Sequence, residues 1–509
     1  MTTLVSTTDT LTRDALAVLQ PGFAGTAPPD WLLRRVGEGL ACVALFGRNV
    51  TSSEQLAALT ERLRAEREDV LVAIDEESGD VTRLEVVHGS SFPGNLALGS
   101  VDDVHLTRSV AKELGHRLAE CGVNLNWAPS ADVNANPNNP VIGVRAFGAD
   151  SALTARHTAA YVEGLQSSGV AACTKHFPGH GDTAVDSHHG TPRIDVDLDI
   201  LHARELAPFR AAIAAGTRCV MSAHILLPAL DPDRPATVSP RILTGLLREE
   251  LGFDGLIVTD GIDMEAISKV YGMEHGTVLA IAAGADAICV GGGPSDEGTV
   301  LRLRDALVTA VRAGELPEER LADAAARVRA LASWTQKARG EDAGPGADVQ
   351  EGTAPGSRVR SDVGLVAARR AVRVTGSGAP LTEAAYVATF NPVANIAVGG
   401  QTPWGISADL ARILPGTAAD VYTSESADPA AAALLAAGER RIVAVVRDEH
   451  RHAWMREALD ALLAARPDTV VVEMGLPRSE PRGELHVATH GAARVCALAA
   501  VEALTGSRA

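Results

Sequence analysis

From about residue 30 to residue 336 the chain alternates short apolar runs with longer amphipathic ones, and no other property of it limits the fold so tightly. The apolar runs fall at 41–46, 70–74, 123–127, 170–173, 219–222, 256–259 and 287–290. Each is short and bounded by turn-forming or polar residues, which predicts strands. Between them, 53–66, 105–121, 152–166, 199–214 and 239–251 carry helical periodicity. Strands separated by one helix each run parallel, and about eight such units make a (β/α)8 barrel of the TIM type. Seven strands are recognisable, so one is missing or irregular.

At 509 residues the chain exceeds one ordinary core. The stretch 338–358 is rich in Gly, Pro and charge and lacks periodicity, as a linker does. Beyond it, 386–390, 441–446 and 469–473 read as strands and 430–437, 452–465 and 491–504 as helices. The expected organisation is α/β throughout: a catalytic barrel domain over 1–337, a linker at 338–360, and a smaller open three-layer α/β sandwich domain at 361–509.

A net charge of −18 argues against nucleic acid or an anionic membrane as partner, since both need clustered Lys and Arg. The six cysteines are scattered without a CxxC pair and read as small core residues of a reducing compartment. Residues 1–19 contain no apolar signal core, and no stretch is long enough to span a membrane, so the expected location is cytoplasmic.

The chemistry concentrates in one loop. Residues 173–195 read CTKHFPGHGDTAVDSHHGTPRID, with Pro178, Gly179 and Gly181 forbidding helix where the apolar run ends. Four of the fifteen histidines lie here, beside Lys175, Asp182 and Asp186, in a chain with four lysines against forty-two arginines. An ionisable loop leaving a buried strand is where an α/β enzyme keeps its site. A second candidate is Asp260, immediately after the run 256–259, with Asp263 as a local rival. A zinc set from His176, His180, His188 and Asp186 is disfavoured because Pro178 and Gly179 break any helical spacing, so no metal is expected. The Gly291–Gly–Gly293 run lacks a dinucleotide or P-loop signature and reads as a turn, and no cofactor is expected.

These motifs resemble glycoside hydrolase family 3, in its β-N-acetylglucosaminidase (NagZ-like) branch. The branch carries Lys-His-Phe-Pro-Gly-His-Gly-Asp followed by Asp-Ser-His, present here as 175–182 and 186–188. Further matches are Asp75-Glu-Glu-Ser-Gly-Asp-Val-Thr-Arg83, which lacks one Gly and the first Arg of the family run, and NPVIGVRAFG at 139–148, with Ala146 in place of Ser. The resemblance covers roughly the first two-thirds of the chain. It implies that Asp260 is the nucleophile and that His188 is the general acid/base, oriented by Asp186. It also implies that Asp75, Arg145, Lys175, His176 and His224 bind sugar, while Asp132 supports the rim. Adjacent His189 is separated from His188 only by register. A histidine suits the acid role because its ordinary pKa lies near 6.5 and a carboxylate partner keeps it protonated.

With only 3% aromatic residues the chain lacks the platforms of a long polysaccharide cleft, which points to a pocket for one terminal sugar. The expected activity is a retaining exo-β-N-acetylglucosaminidase acting on a small sugar with terminal GlcNAc. The alternatives are a phosphorylase using the same residues, a β-glucosidase of the same family, and a catalytically silent sugar-binding regulator. The aglycone, a muropeptide of peptidoglycan recycling or a chitooligosaccharide, and the oligomeric state are left open. The C-terminal domain offers only Arg447–His450 and His486, which read as solvated surface.

Overall fold

The computed structural model describes residues 9–184, 191–291, 293, 295–342, 361–393 and 397–507. It contains an eighth strand that the sequence does not announce. β1 (Leu19–Pro21) is three residues long, follows closely on the helix Thr10–Ala17, and pairs in parallel with β8 (Ile288–Val290). The seven expected strands are all present. β2 (Cys42–Leu45), β3 (Leu71–Ile74), β4 (Leu125–Asn126), β5 (Ala171–Phe177), β6 (Cys219–Ser222) and β7 (Leu256–Thr259) form one parallel sheet in that order. A bridge between Val258 and Ala287 links β7 to the approach of β8. Every residue of these eight strands is buried, as in parallel sheets covered on both faces. That is why they read as unbroken apolar runs.

Two strands depart from the expected lengths. β4 is short because the Asn126 amide takes over the pairing, donating to the Glu76 carbonyl and accepting from its N–H at 2.8 and 3.0 Å. β5 runs past Cys173 to Phe177, carrying Lys175 and His176 within the strand. Polar residues continue a buried strand there because each has a charged or hydrogen-bonding partner waiting.

The C-terminal sheet contains β9 (Arg373–Gly376), β10 (Tyr386–Phe390), β11 (Ala418–Tyr422), β12 (Ile442–Val446), β13 (Val470–Glu473) and β14 (Leu485–Ala488). Their order is β11-β10-β12-β13-β14-β9, parallel except for β9 against β14. Along β12, Val443 and Val445 face the helices Ser407–Ile413 and Arg494–Thr505, while Ile442, Ala444 and Val446 face Pro429–Ala437 and Ala453–Ala465. This is the expected three-layer arrangement.

The helix Glu318–Asp342 runs past residue 337 into the segment read as linker, because its Ala- and Arg-rich end still favours helix. All six cysteines are buried. Among the described residues no helix is long and apolar enough to cross a membrane.

The two six-stranded sheets are locked together by residues that the sequence pattern leaves on the surface. Arg447 pairs with buried Asp80, whose other oxygen accepts from Ala492 N at 2.7 Å. The His450 ring meets the Pro137 carbonyl at 3.0 Å, and Arg370 pairs with Asp103 at 2.8 Å. The solvated-surface reading of Arg447–His450 is therefore corrected. Glu449 is buried on Arg482 and Ser479, and His486 is buried against the Arg482 N–H.

Candidate active site

Parallel strands bring their C-terminal ends to one rim, and the candidate residues collect there. Asp75 follows β3, Lys175 and His176 end β5, Asp260 follows β7, and Arg145 closes a short helical turn (Gly143–Arg145) in the loop after β4. The bridge between Ser130 and Lys175 holds that loop against β5.

Four of these side chains form one connected set with Glu77, Asp132 and Arg83. Lys175 Nζ lies on Asp75 and, at 2.6 Å, on Glu77. Glu77 receives Arg145 in a two-pronged contact, Nε at 2.9 Å and Nη2 at 2.7 Å. Arg145 Nη2 also approaches His176 Nε2 at 3.3 Å. His176 Nδ1 donates to Asp132 Oδ2 at 2.7 Å, so its Nε2 is the acceptor facing Arg145. Asp75 additionally pairs with Arg83 at 3.1 Å. Three carboxylates thus face three cations, with Lys175, Glu77, Arg145 and Asp132 all buried.

Burial alone pushes the Glu77 carboxyl up, but Arg145 and Lys175 outweigh it and hold it well below the usual carboxylate range. Burial likewise opposes the charge on Lys175, and Asp75 and Glu77 outweigh it, raising its pKa. Glu77 and Lys175 are therefore both ionised at neutral pH. With two of the three ammonium N–H groups engaged, Lys175 has one to offer a hydroxyl.

Sequence reasoning kept Glu77 only as part of a matching run and missed its role. It is the hub of the set. The available signal was its i, i+2 spacing from Asp75, which continues the extended backbone and puts both carboxylates on one side.

Asp132 is fully enclosed, accepting from His176 Nδ1, from His180 N at 2.7 Å and from Ser130 Oγ at 2.9 Å. Glu76, next to Glu77, accepts from Thr82 Oγ1, Arg83 N and Leu84 N at 2.6–3.0 Å and so folds the loop that presents Asp75.

Asp260 is half-buried. Its N–H donates to the Ser222 carbonyl at 3.0 Å, and Oδ1 accepts from Gly261 N at 2.8 Å. Its charge acts on His180, which burial first, and then His176, hold down to about 4. The rival Asp263 is engaged elsewhere. Its two oxygens accept from Gly291 N at 3.2 Å and Gly293 N at 3.1 Å, pinning the turn after β8.

His224 departs from its expected place in the pocket wall. It is 0% exposed, donates from Nε2 to the Gly261 carbonyl at 2.8 Å, and sets Nδ1 against Thr237 Oγ1 at 2.8 Å. Both ring nitrogens are engaged in this enclosed position, and the bond to Gly261 ties His224 to the turn that follows Asp260. Asp186 and His188, with His189, lie outside the described residues. Among the described residues no three His, Cys, Asp or Glu side chains gather as a metal site needs.

The chain is one of a family of sugar-cleaving enzymes. Residues 36–331 match the glycosyl hydrolase family 3 N terminal domain, and the chain belongs to glycoside hydrolase family 3. It is 36% identical over 333 residues to beta-hexosaminidase A of Pseudoalteromonas piscicida, covering 60% of this chain and 55% of that protein's length. It is 36% identical over 280 residues to the beta-hexosaminidase of Stenotrophomonas maltophilia strain K279a, covering 53% of this chain and 82% of that one. In structure it is similar to a glycoside hydrolase family 3 beta-N-acetylglucosaminidase from Paenibacillus sp. FPU-7. The TM-score is 0.85 at 32% identity, over 99% of this chain and 98% of that one.

Proposed function

We propose that this chain is a retaining exo-β-N-acetylglucosaminidase. The observation that carries the proposal is the charge-balanced Asp75–Lys175–Glu77–Arg145–His176 set, gathered at the same rim as a half-buried Asp260 whose carboxylate is already oriented by the Gly261 N–H. The relatives support it: two are beta-hexosaminidases, and the structure matched over almost its whole length is a beta-N-acetylglucosaminidase.

In this reading the eight strands close as a (β/α)8 barrel. The two sheets are the cores of two domains, the first ending with the helix at Asp342 and the second beginning near 361. Lys175, Arg145, Asp75 and His176 hold the hydroxyls of one terminal GlcNAc. Asp260 attacks the anomeric carbon as His188, oriented by Asp186, gives its proton to the departing oxygen. His188 then takes a proton from water, which displaces Asp260 and releases GlcNAc with its configuration retained. The protein acts in the cytoplasm.

Removing the acid tests the assignment. His188→Ala is expected to lower kcat/KM for an unactivated disaccharide at least ~100-fold more than for a nitrophenyl glycoside, whose anion leaves unaided. Equal losses on both would remove His188 from the acid role. A second reading, with phosphate in place of water, draws on the same charge balance, because a neutral histidine leaves the site one negative charge fewer than a carboxylate would. Near-stoichiometric sugar 1-phosphate in phosphate buffer would establish it.

A further inference from the structure

The run at 139–148 contributes more than Arg145. Just before it the chain reads Asn136-Pro-Asn-Asn139, with Asn first and Pro second, which dictates a tight turn. Asn139 N closes the turn on the Asn136 carbonyl at 3.0 Å, and Asn136 Oδ1 accepts from Asn138 N at 3.0 Å. Both asparagine amides then reach across to the turn that follows β5. Asn136 Nδ2 donates to the Thr183 carbonyl at 3.1 Å. Asn139 Nδ2 donates to the His180 carbonyl at 2.8 Å and to Thr183 Oγ1 at 3.3 Å.

Asn139 also holds the chain that follows it. Its Oδ1 accepts from Val141 N and Ile142 N, both at 2.9 Å, and the Val141 carbonyl accepts from Arg145 Nη1 at 3.2 Å. One amide thus uses two donors and two acceptor lone pairs to join the turn bearing Arg145 to the turn 180–183. Asn139, His180 and Thr183 are all buried, so each lost bond leaves a polar group without a partner. A second hold on the same turn is Asp182, which pairs with Arg204 at 2.6 Å, while Arg204 pairs with buried Glu205 at 2.6 Å.

Thr183 lies three residues before Asp186 and five before His188. So short a stretch passes a shift of Thr183 on to that pair. Misplacing a reacting group by ~1 Å costs about 100-fold in rate.

The clamp is braced from the other half of the chain. The Pro137 carbonyl, at the second place of the turn, accepts from His450 Nε2 at 3.0 Å, and His450 lies in the loop after β12.

Resting on the proposed function, we infer that Asn139 is a positioning residue. It sets the start of the segment leading to Asp186 and His188 against the sugar-binding turn, and the C-terminal sheet takes part through His450.

The test is a ratio measured on the full-length protein: kcat/KM for a nitrophenyl β-N-acetylglucosaminide over kcat/KM for a neutral GlcNAc disaccharide. The nitrophenolate leaves with little help from an acid. The ratio therefore rises when the acid is misplaced and stays constant when the site loses activity as a whole. Asn139→Ala is expected to raise it about 10-fold or more, and Asn136→Ala, which removes one of the three bonds to the turn, about 3- to 10-fold. His450→Ala should raise it about 3-fold, and His450→Gln, whose amide can donate to the same carbonyl, should bring it back. In a His188→Ala background, Asn139→Ala and Asn136→Ala should change it less than about 2-fold, because the group they position is gone. If circular dichroism shows that Asn139→Ala does not fold, Asn136→Ala carries the test. An unchanged ratio in Asn136→Ala, or the same rise with and without His188, would overturn the inference. An unchanged ratio in His450→Ala would overturn the part given to the C-terminal sheet. An unchanged ratio in His188→Ala itself would instead defeat the proposed function.

Discussion

Glu77→Gln keeps the volume of the side chain and removes the charge on which Arg145 and Lys175 both converge, at 2.7 and 2.6 Å. Each such attraction is worth ~4 kcal/mol for unit charges 4 Å apart at an effective dielectric of 20. The loss is softened because Asp75 still faces Lys175. Removing one partner of a buried ion pair leaves the other charge uncompensated and costs about 3–5 kcal/mol, and that range is the expected fall in unfolding free energy. Urea unfolding followed by circular dichroism at pH 7 measures it. Because the folded pKa of Glu77 is depressed, its contribution is complete above the ordinary value of 4.5 and is lost as pH falls from there through the folded pKa. The deficit of the variant should therefore narrow below about pH 4.5 and stay constant above it. With Arg145 and Lys175 displaced, kcat/KM on an aryl N-acetylglucosaminide should fall about 100-fold. An unfolding free energy within ~0.5 kcal/mol of wild type, together with near-normal turnover, would refute the hub role.

Asp132→Asn removes the charge that fixes the His176 proton on Nδ1, and should lower kcat/KM ~10- to 100-fold with little change in secondary structure by circular dichroism. Gly181→Ala would place Cβ 1.7 Å from the Val133 carbonyl oxygen, so its unfolding free energy should drop by at least ~2 kcal/mol. Gly252→Ala, at φ +66° with open space around it, should cost only about 1 kcal/mol and serves as the control.

Much of the N-terminal fold was legible because buried parallel strands leave unbroken apolar runs, and because ionisable residues sit where those runs stop. Asp260 and the pair Lys175–His176 stand out on that rule alone. β1 was not legible: three residues that follow directly on a helix make no separate periodic signal. β9 was hidden for a different reason, since all four of its residues are exposed at the sheet edge and carry no core pattern. Glu77 was visible as part of a run, but its two cations lie 68 and 98 positions away, and no local spacing links them. The interface role of Arg447 and His450 was out of reach, because their partners Asp80 and Pro137 lie 367 and 313 residues earlier. Long-range pairing of charges leaves little trace in a single sequence.

The central claim is that Asp260 forms a covalent bond to the sugar. A GlcNAc glycosyl fluoride bearing a second fluorine at C5, next to the ring oxygen, keeps the acetamido group and slows both steps, the second more than the first, so the glycosyl-enzyme accumulates. Mass spectrometry of the intact protein, followed by peptide mapping, should then show one sugar per chain on the peptide containing Asp260, and none in Asp260→Asn. A label on Asp263, or inactivation without any adduct, would contradict the account.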